Sequence, residues 1–222
     1  MRHVILPWNT TSSPKILCVG AHADDIEIGC GGTVLQLAER HPGCIFYWIV
    51  FSADGVRAEE ARRSAASFAK SATIKGPEIK GFQDGFMPYA GSQVKSAFEE
   101  LKAISPDLIF THNREDAHQD HRLLADLTWN TFRDHLILEY EIPKYDGDLG
   151  RPNLFVPLEK VSTRDKVRYI MESFVSQHQK RWFDPETFFS IMRLRGMECN
   201  SPSGYAEAFY SSKLTLEFGN RQ

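Results

Sequence analysis

Residues 16–32 read Ile16-Leu17-Cys18-Val19-Gly20-Ala21-His22-Ala23-Asp24-Asp25-Ile26-Glu27-Ile28-Gly29-Cys30-Gly31-Gly32, and their reading decides the fold. The run Ile16 to Val19 is short, apolar and partly β-branched, and it stops at Gly20, which predicts a buried strand. His22, Asp24 and Asp25 follow at once. Gly29, Gly31 and Gly32 then precede a helical pattern over 33–40. An imidazole and two carboxylates thus stand at the carboxyl end of a strand, where open α/β sheets bind ligands. A second polar cluster, His118-Gln119-Asp120-His121, follows about a hundred residues later. The two clusters are expected to meet around one metal ion.

Working outward, residues 44–51 (CIFYWIVF) form an uninterrupted apolar run, the pattern of a strand covered on both faces. Apolar periodicity predicts helices over 57–70, 93–104 and 122–132, and short strands over 78–82, 107–111 and 136–140. Strands and helices alternate from 15 to about 140, the signature of a parallel sheet with right-handed crossovers. Beyond Tyr140 the prolines Pro143, Pro152 and Pro157 mark an extended segment, with a short strand at 154–156. A helix is predicted over 162–179, capped by Ser162 or Thr163, and another over 184–197 with Asp184 as cap and Pro185 first. The segment 205–216 is expected to include a strand. The fold class is therefore α/β: an open, mostly parallel sheet with helices on both faces and a C-terminal α+β extension. With no repeat or linker, residues 1–222 are expected to form a single domain, a βα core at 15–140 and an extension at 141–222 that shapes the pocket.

The bulk numbers narrow the function. The chain has 222 residues, 42% hydrophobic and 25% charged, with a net charge of −3. No basic footprint points to nucleic acid. No apolar run has the length of a bilayer span, and residues 1–14 lack the pattern of a signal peptide, so a cytoplasmic protein is expected. The cysteines Cys18, Cys30, Cys44 and Cys199 include no C-x-x-C pair, which argues against a cysteine metal site or redox dithiol.

The candidate metal ligands are His22, Asp25 and His121. Two imidazoles and one carboxylate suit Zn²⁺, and also Fe²⁺ in a facial triad. Asp24 is a spare carboxylate that can act as general base toward water activated by the metal. His118 is a spare imidazole for the oxyanion or the leaving amine. Asp120 is placed to orient a histidine from behind. Each of these residues has an ordinary explanation too, since Asp24 and Asp25 suit helix caps and loop histidines usually face solvent. Their joint occurrence at two strand ends favours a site. A dinucleotide reading of the glycines fails, because acids in the first turn repel a pyrophosphate and the G-x-G-x-x-G spacing is absent. The glycines instead allow close approach of helix to strand.

Gly20-Ala21-His22-Ala23-Asp24-Asp25, with Glu27 and Gly29 to Gly32, resembles the A-H-P-D-D motif of the PIG-L/LmbE-like deacetylases, and His118-Gln119-Asp120-His121 is similar to that family's H-x-D-H. Weaker agreement covers 81–85, Ser176-Gln177 and Gly204-Tyr205-Ala206-Glu207. The resemblance implies a Rossmann-like fold and zinc-dependent removal of an N-acetyl group from a GlcNAc-type sugar. It also implies His22, Asp25 and His121 as ligands, Asp24 as base, and His118 as oxyanion stabiliser or acid. Ala23 stands where the family usually has Pro. Asp116 stands where some thiol-sugar members carry a tyrosine, which argues against those members' substrate.

Asp54, Arg57, Asp84 and His112, with Arg63, are the expected sugar contacts on strand-end loops, and Phe86, Tyr89 and Trp182 are candidate stacking rings. Nucleotide-linked, lipid-linked and free amino sugars all remain compatible, and no apolar stripe marks an oligomer contact. The competing readings are a carbohydrate-binding or regulatory protein without turnover, and another amide hydrolase or Fe²⁺ enzyme using the same triad.

Overall fold

The computed structural model describes residues 3–6, 8, 13–69 and 72–215. Among the described residues seven strands form a single mixed sheet: β1 (Lys15–Gly20), β2 (Ile45–Val50), β3 (Thr73–Ile79), β4 (Leu108–His112), β5 (Ile137–Tyr140), β6 (Leu154–Pro157) and β7 (Ala206–Tyr210). Their order is β3-β2-β1-β4-β5-β7-β6. The first five strands pair in parallel, while β7 runs antiparallel to both β5 and β6. The fold is α/β and mostly parallel, with the antiparallel pair added by the extension. The order reverses between β1 and β4, a topological switch point. Both polar clusters leave the sheet there, which is why residues a hundred apart can meet.

Six α-helices of the described residues cover the sheet: α1 (Asp25–Arg40), α2 (Gly55–Phe68), α3 (Gly91–Leu101), α4 (Gln119–Thr131), α5 (Lys160–Ser173) and α6 (Pro185–Glu198). Alternation along β1 divides the core in two. Ile16 and Cys18 pack with residues of α1, α2, α5 and α6. Leu17 and Val19 pack on the other face with residues of α3 and α4. Apolar side chains on both sides of one strand explain its continuous hydrophobic reading. No described helix is long and apolar enough to cross a membrane.

Several boundaries differ from expectation for physical reasons. α1 starts at Asp25 rather than at 33, because its glycines do not break it. A Cβ on Gly29 would lie 2.2 Å from the Tyr140 ring, and one on Gly31 would lie 2.5 Å from Phe68. The glycines are where α1 comes closest to its neighbours. β3 lies at 73–79 rather than 78–82; it is an edge strand, where Pro77 is tolerated. α5 starts earlier, behind Glu159, and ends at Ser173 before a separate 3₁₀ turn at Val175–Gln177. Ser162 and Thr163 are buried inside its first turns. Asp184 caps α6 by accepting the Thr187 N–H at 2.9 Å. Lys70, parts of the 1–14 lead-in and the far end of 205–216 lie outside the described residues.

One buried polar connection ties the two ends of the fold. Lys166 in α5 donates to the Ile28 carbonyl and to Glu207 Oε1, both at 2.6 Å. The Glu207 carboxylate also accepts the Gly32 and Thr33 backbone N–H groups, both at 2.7 Å, and the Thr33 hydroxyl at 2.6 Å. Lys166→Met is expected to cost about 3–5 kcal/mol, because it leaves Glu207 charged and buried without its cation. Denaturant unfolding measures this loss, and an unchanged midpoint would refute it.

Candidate metal centre

β1 delivers His22, Asp24 and Asp25 through a tight turn into α1. Asp24 occupies the N-cap position, yet its side chain makes no capping bond. Asp25 Oδ2 accepts the His22 N–H at 2.6 Å, which folds the turn so that both side chains face one point. α4 brings His121 from the other side of the switch point. The three expected ligands converge: His22 Nδ1 lies 3.1 Å from His121 Nε2 and 3.3 Å from Asp25 Oδ2, and the remaining edge, His121 Nε2 to Asp25 Oδ2, is 3.5 Å.

The far nitrogens set the tautomers. His121 Nδ1 faces Asp116 Oδ2 at 3.0 Å. His22 Nε2 faces Asp84 Oδ1 at 2.9 Å and Asp120 Oδ2 at 3.5 Å. The bond to Asp116 turns the Nε2 lone pair of His121 inward, beside the Asp25 oxygen. The two acids near His22 Nε2 favour its proton there, leaving the Nδ1 lone pair inward, although that N–H completes no hydrogen bond to them. Three electron-rich atoms then face one another, an arrangement that a cation resolves. Their separations match the edges of a tetrahedron with metal–ligand bonds of about 2.0–2.1 Å, roughly 3.3–3.4 Å. The donor set and spacing therefore fit Zn²⁺, and equally Fe²⁺.

Electrostatics follow from the same contacts. Burial opposes ionisation of Asp25, but His121, His112 and His22 outweigh it and hold the carboxyl well below its usual range. Burial also opposes protonation of His22, and Asp25, Asp120 and Asp84 outweigh it, raising the ring well above an ordinary histidine. A proton or a cation is thus strongly favoured in this triangle. Burial pushes Asp24 up, and the Arg57 guanidinium counters it. Arg57 Nη2 donates to Asp24 Oδ1 at 2.7 Å. Burial, then the charges of His121 and His22, lower His118. His118 Nδ1 accepts the Asp120 N–H at 3.2 Å, so in the neutral ring Nε2 carries the proton.

A cavity of ≈ 690 Å³ opens over the triangle, a size typical of small-molecule sites. His22, Asp24, Asp25, His118 and His121 all line it, as do Asp54, Arg57 and Asp84. His112 does not, which corrects its expected sugar contact. It is fully buried, its Nε2 takes the Ala21 N–H at 2.9 Å, and its ring stacks on His121 at 3.9 Å. Its position at a strand end looks exposed in sequence, but β1 and β5 flank that end. Arg63 is corrected as well: it donates to the Ser173 carbonyl at 2.9 Å, joining α2 to α5. Trp182 lines the cavity, whereas Phe86 and Tyr89 are not among its walls and pack on each other at 5.9 Å. Asp120 mainly fixes the neighbouring loop, accepting the Gly85 and Met87 N–H groups at 2.7 and 3.2 Å.

Sequence reasoning missed the role of Asp116. It accepts the His118 N–H at 2.7 Å, faces His121 Nδ1, and meets Lys144 Nζ at 3.1 Å. Burial resists its ionisation, but His121 and Lys144 hold its carboxyl far below the usual range. An acid two residues before the H-x-D-H motif was the available signal. Asp116→Asn is expected to weaken metal binding about 10–100-fold, as loss of a carboxylate behind a ligating histidine does. Metal-buffer titration tests this, and unaltered affinity would exclude the role. Lys144, Tyr145, Asp146 and Lys180 also line the cavity and carried no sequence signal.

A Rossmann-like sheet with two imidazoles and a carboxylate converging at its switch point defines an α/β protein of the LmbE type. The model of the PIG-L family, described as GlcNAc-PI de-N-acetylase, matches residues 17–132, and the chain belongs to that family. YaiS of Escherichia coli, described as an uncharacterized deacetylase, is 30% identical over 142 residues, covering 58% of this chain and 74% of its own. Among solved structures, the 4-carboxy-2-hydroxymuconate hydratase GalB from Pseudomonas putida aligns with a TM-score of 0.74 at 17% identity, covering 94% of this chain and 100% of its own. The N,N'-diacetylchitobiose deacetylase from Pyrococcus horikoshii aligns with a TM-score of 0.65 at 20% identity, over 90% and 84% of the two chains. The structural likenesses establish the fold, which carries a hydratase in one case and a deacetylase in the other.

Proposed function

We propose that the protein is a metal-dependent hydrolase that removes the N-acetyl group of a GlcNAc-type amino sugar. The observation that carries this reading is the triangle of His22 Nδ1, Asp25 Oδ2 and His121 Nε2, with the Asp24 carboxylate beside it in one open cavity. Membership of a de-N-acetylase family supports it. His22, Asp25 and His121 would hold Zn²⁺ or Fe²⁺, which supplies Lewis acidity and makes water a competent nucleophile near neutral pH.

Asp24 takes the proton of the attacking water as its oxygen adds to the acetamide carbon. His118 donates its Nε2–H to the developing oxyanion as a neutral imidazole. The C–N bond then breaks, the amine gains the proton that Asp24 held, and the acid so formed gives up its remaining proton to leave as acetate. Asp54, Arg57 and Asp84 contact the sugar, and Trp182 offers it a flat face. Acetate release from free, nucleotide-linked and lipid-linked N-acetylglucosamine tests the reading and selects the substrate. Bound metal with no amine released from any of them would refute it.

The pairing of Arg57 with Asp24 has a pH signature. Arg57 is the main influence keeping the buried Asp24 carboxyl from rising further. The base works ionised, so kcat/KM falls as pH drops through its pKa. Arg57→Leu is expected to raise that pKa and move the acid limb of the kcat/KM profile to higher pH. A limb that stays in place would show that Arg57 does not tune the base.

A further inference from the structure

A second cavity, of ≈ 530 Å³, lies among α5, α6 and the turn before β7 and shares no lining residue with the first. Three of its walls are cations, Lys160, Arg164 and Arg193, and none is acidic. The whole chain carries a net charge of −3, so this positive charge is a local concentration. Among the described residues none of the three has an ion-pair partner, because neighbouring acids are engaged elsewhere. Glu159 pairs with Arg40 at 2.6 Å, Asp165 with Arg168 at 2.5 Å, and Glu198 with Arg195 at 2.8 Å.

The cations are also placed at a cost. Lys160 and Arg164 stand one turn apart on α5, where like charges repel. Lys160 sits in the helix's first turn, which holds no acid and whose dipole disfavours a cation. An anion seated between them removes both penalties. Arg193 is fixed in place: its Nη1 donates to the Gly204 carbonyl at 2.8 Å. A Cβ on Gly204 would come within 2.4 Å of that nitrogen, so the glycine makes room for the guanidinium. Half-buried Phe189 and Tyr205, with ring centroids 6.3 Å apart and planes inclined at 63°, add two aromatic faces to the wall.

We propose that this cavity binds a phosphate-bearing small molecule with a planar ring, of which a nucleotide is the simplest. Lys160, Arg164 and Arg193 take the phosphates, and Phe189 and Tyr205 take the ring. Calorimetric titration of the metal-loaded protein with ADP at constant ionic strength tests this, with inorganic phosphate and pyrophosphate in parallel. ADP is expected to bind more tightly than pyrophosphate, and the Arg164→Gln/Arg193→Gln variant to bind ADP at least about tenfold more weakly with unchanged acetate release. No binding of ADP, or equal binding by variant and parent, overturns the proposal. Equal affinity for ADP and pyrophosphate overturns the ring's part in it. A bound metal can itself attract phosphate, so Lys180→Gln in the first cavity is the control. Loss of ADP binding there, with the arginine variant unaffected, places the nucleotide in the catalytic cavity and also overturns the proposal.

Discussion

Asp24→Asn is expected to slow acetate release by about 10²–10⁴-fold, the contribution of a positioned general base, with one metal ion still held per chain. The substitution is close to isosteric. The Asp24 side chain makes no capping bond, so the turn does not depend on its carboxylate and should persist. The three ligand atoms belong to His22, Asp25 and His121 and are left intact. What disappears is a group able to accept the proton from water. Arg57 still meets an amide oxygen at the position it now reaches at 2.7 Å. Acetate assays paired with metal analysis separate the two effects. Full activity in this variant would assign the base elsewhere, and loss of metal would assign Asp24 to the ligand set.

His121→Ala is expected to abolish stoichiometric metal binding and reduce turnover to background. It removes one of three ligand atoms and leaves Asp116 with Lys144 and the His118 N–H as partners. His112 stacks behind the lost ring, but its Nε2 is committed to the Ala21 N–H and lies beneath Asp25. It is therefore a poor substitute. Metal that binds the native state alone raises the melting temperature. Added Zn²⁺ should raise it in the parent protein and leave the variant unmoved. His118→Ala is the contrast: metal should remain while the rate falls. A His121→Ala protein that still binds one equivalent tightly would dismantle the proposed centre.

Much of this arrangement was legible because burial writes itself into strands. The runs at Ile16 to Val19 and 44–51 are apolar on both faces, and the sheet is covered on both faces. Both polar clusters follow central strands, so their meeting could be inferred from strand ends alone. The glycines of α1 misled because glycine serves turns and tight helix contacts alike, and only the facing Tyr140 and Phe68 rings distinguish them. His112 misled because a residue's position along a strand does not say how far its neighbours extend beyond it. Asp116, Lys144 and Lys180 came from loops without periodicity, and only three-dimensional closure gives them partners. The Arg57–Asp24 contact spans 33 residues and links two turns that no local pattern relates.

The Glu207 carboxylate of β7, packed against α1, also sets an order of construction. Its bonds to Gly32 and Thr33 span 175 and 174 residues. In a chain made from its amino end, the turn holding His22 and Asp25 emerges early. The helix that follows that turn gains this particular anchor only when β7 arrives. A nascent chain stopped short of residue 207 already carries His22, Asp25 and His121, but α1 and the buried Lys166 still lack the carboxylate that joins them. The first motif to be synthesised is thus among the last parts of the protein to be secured.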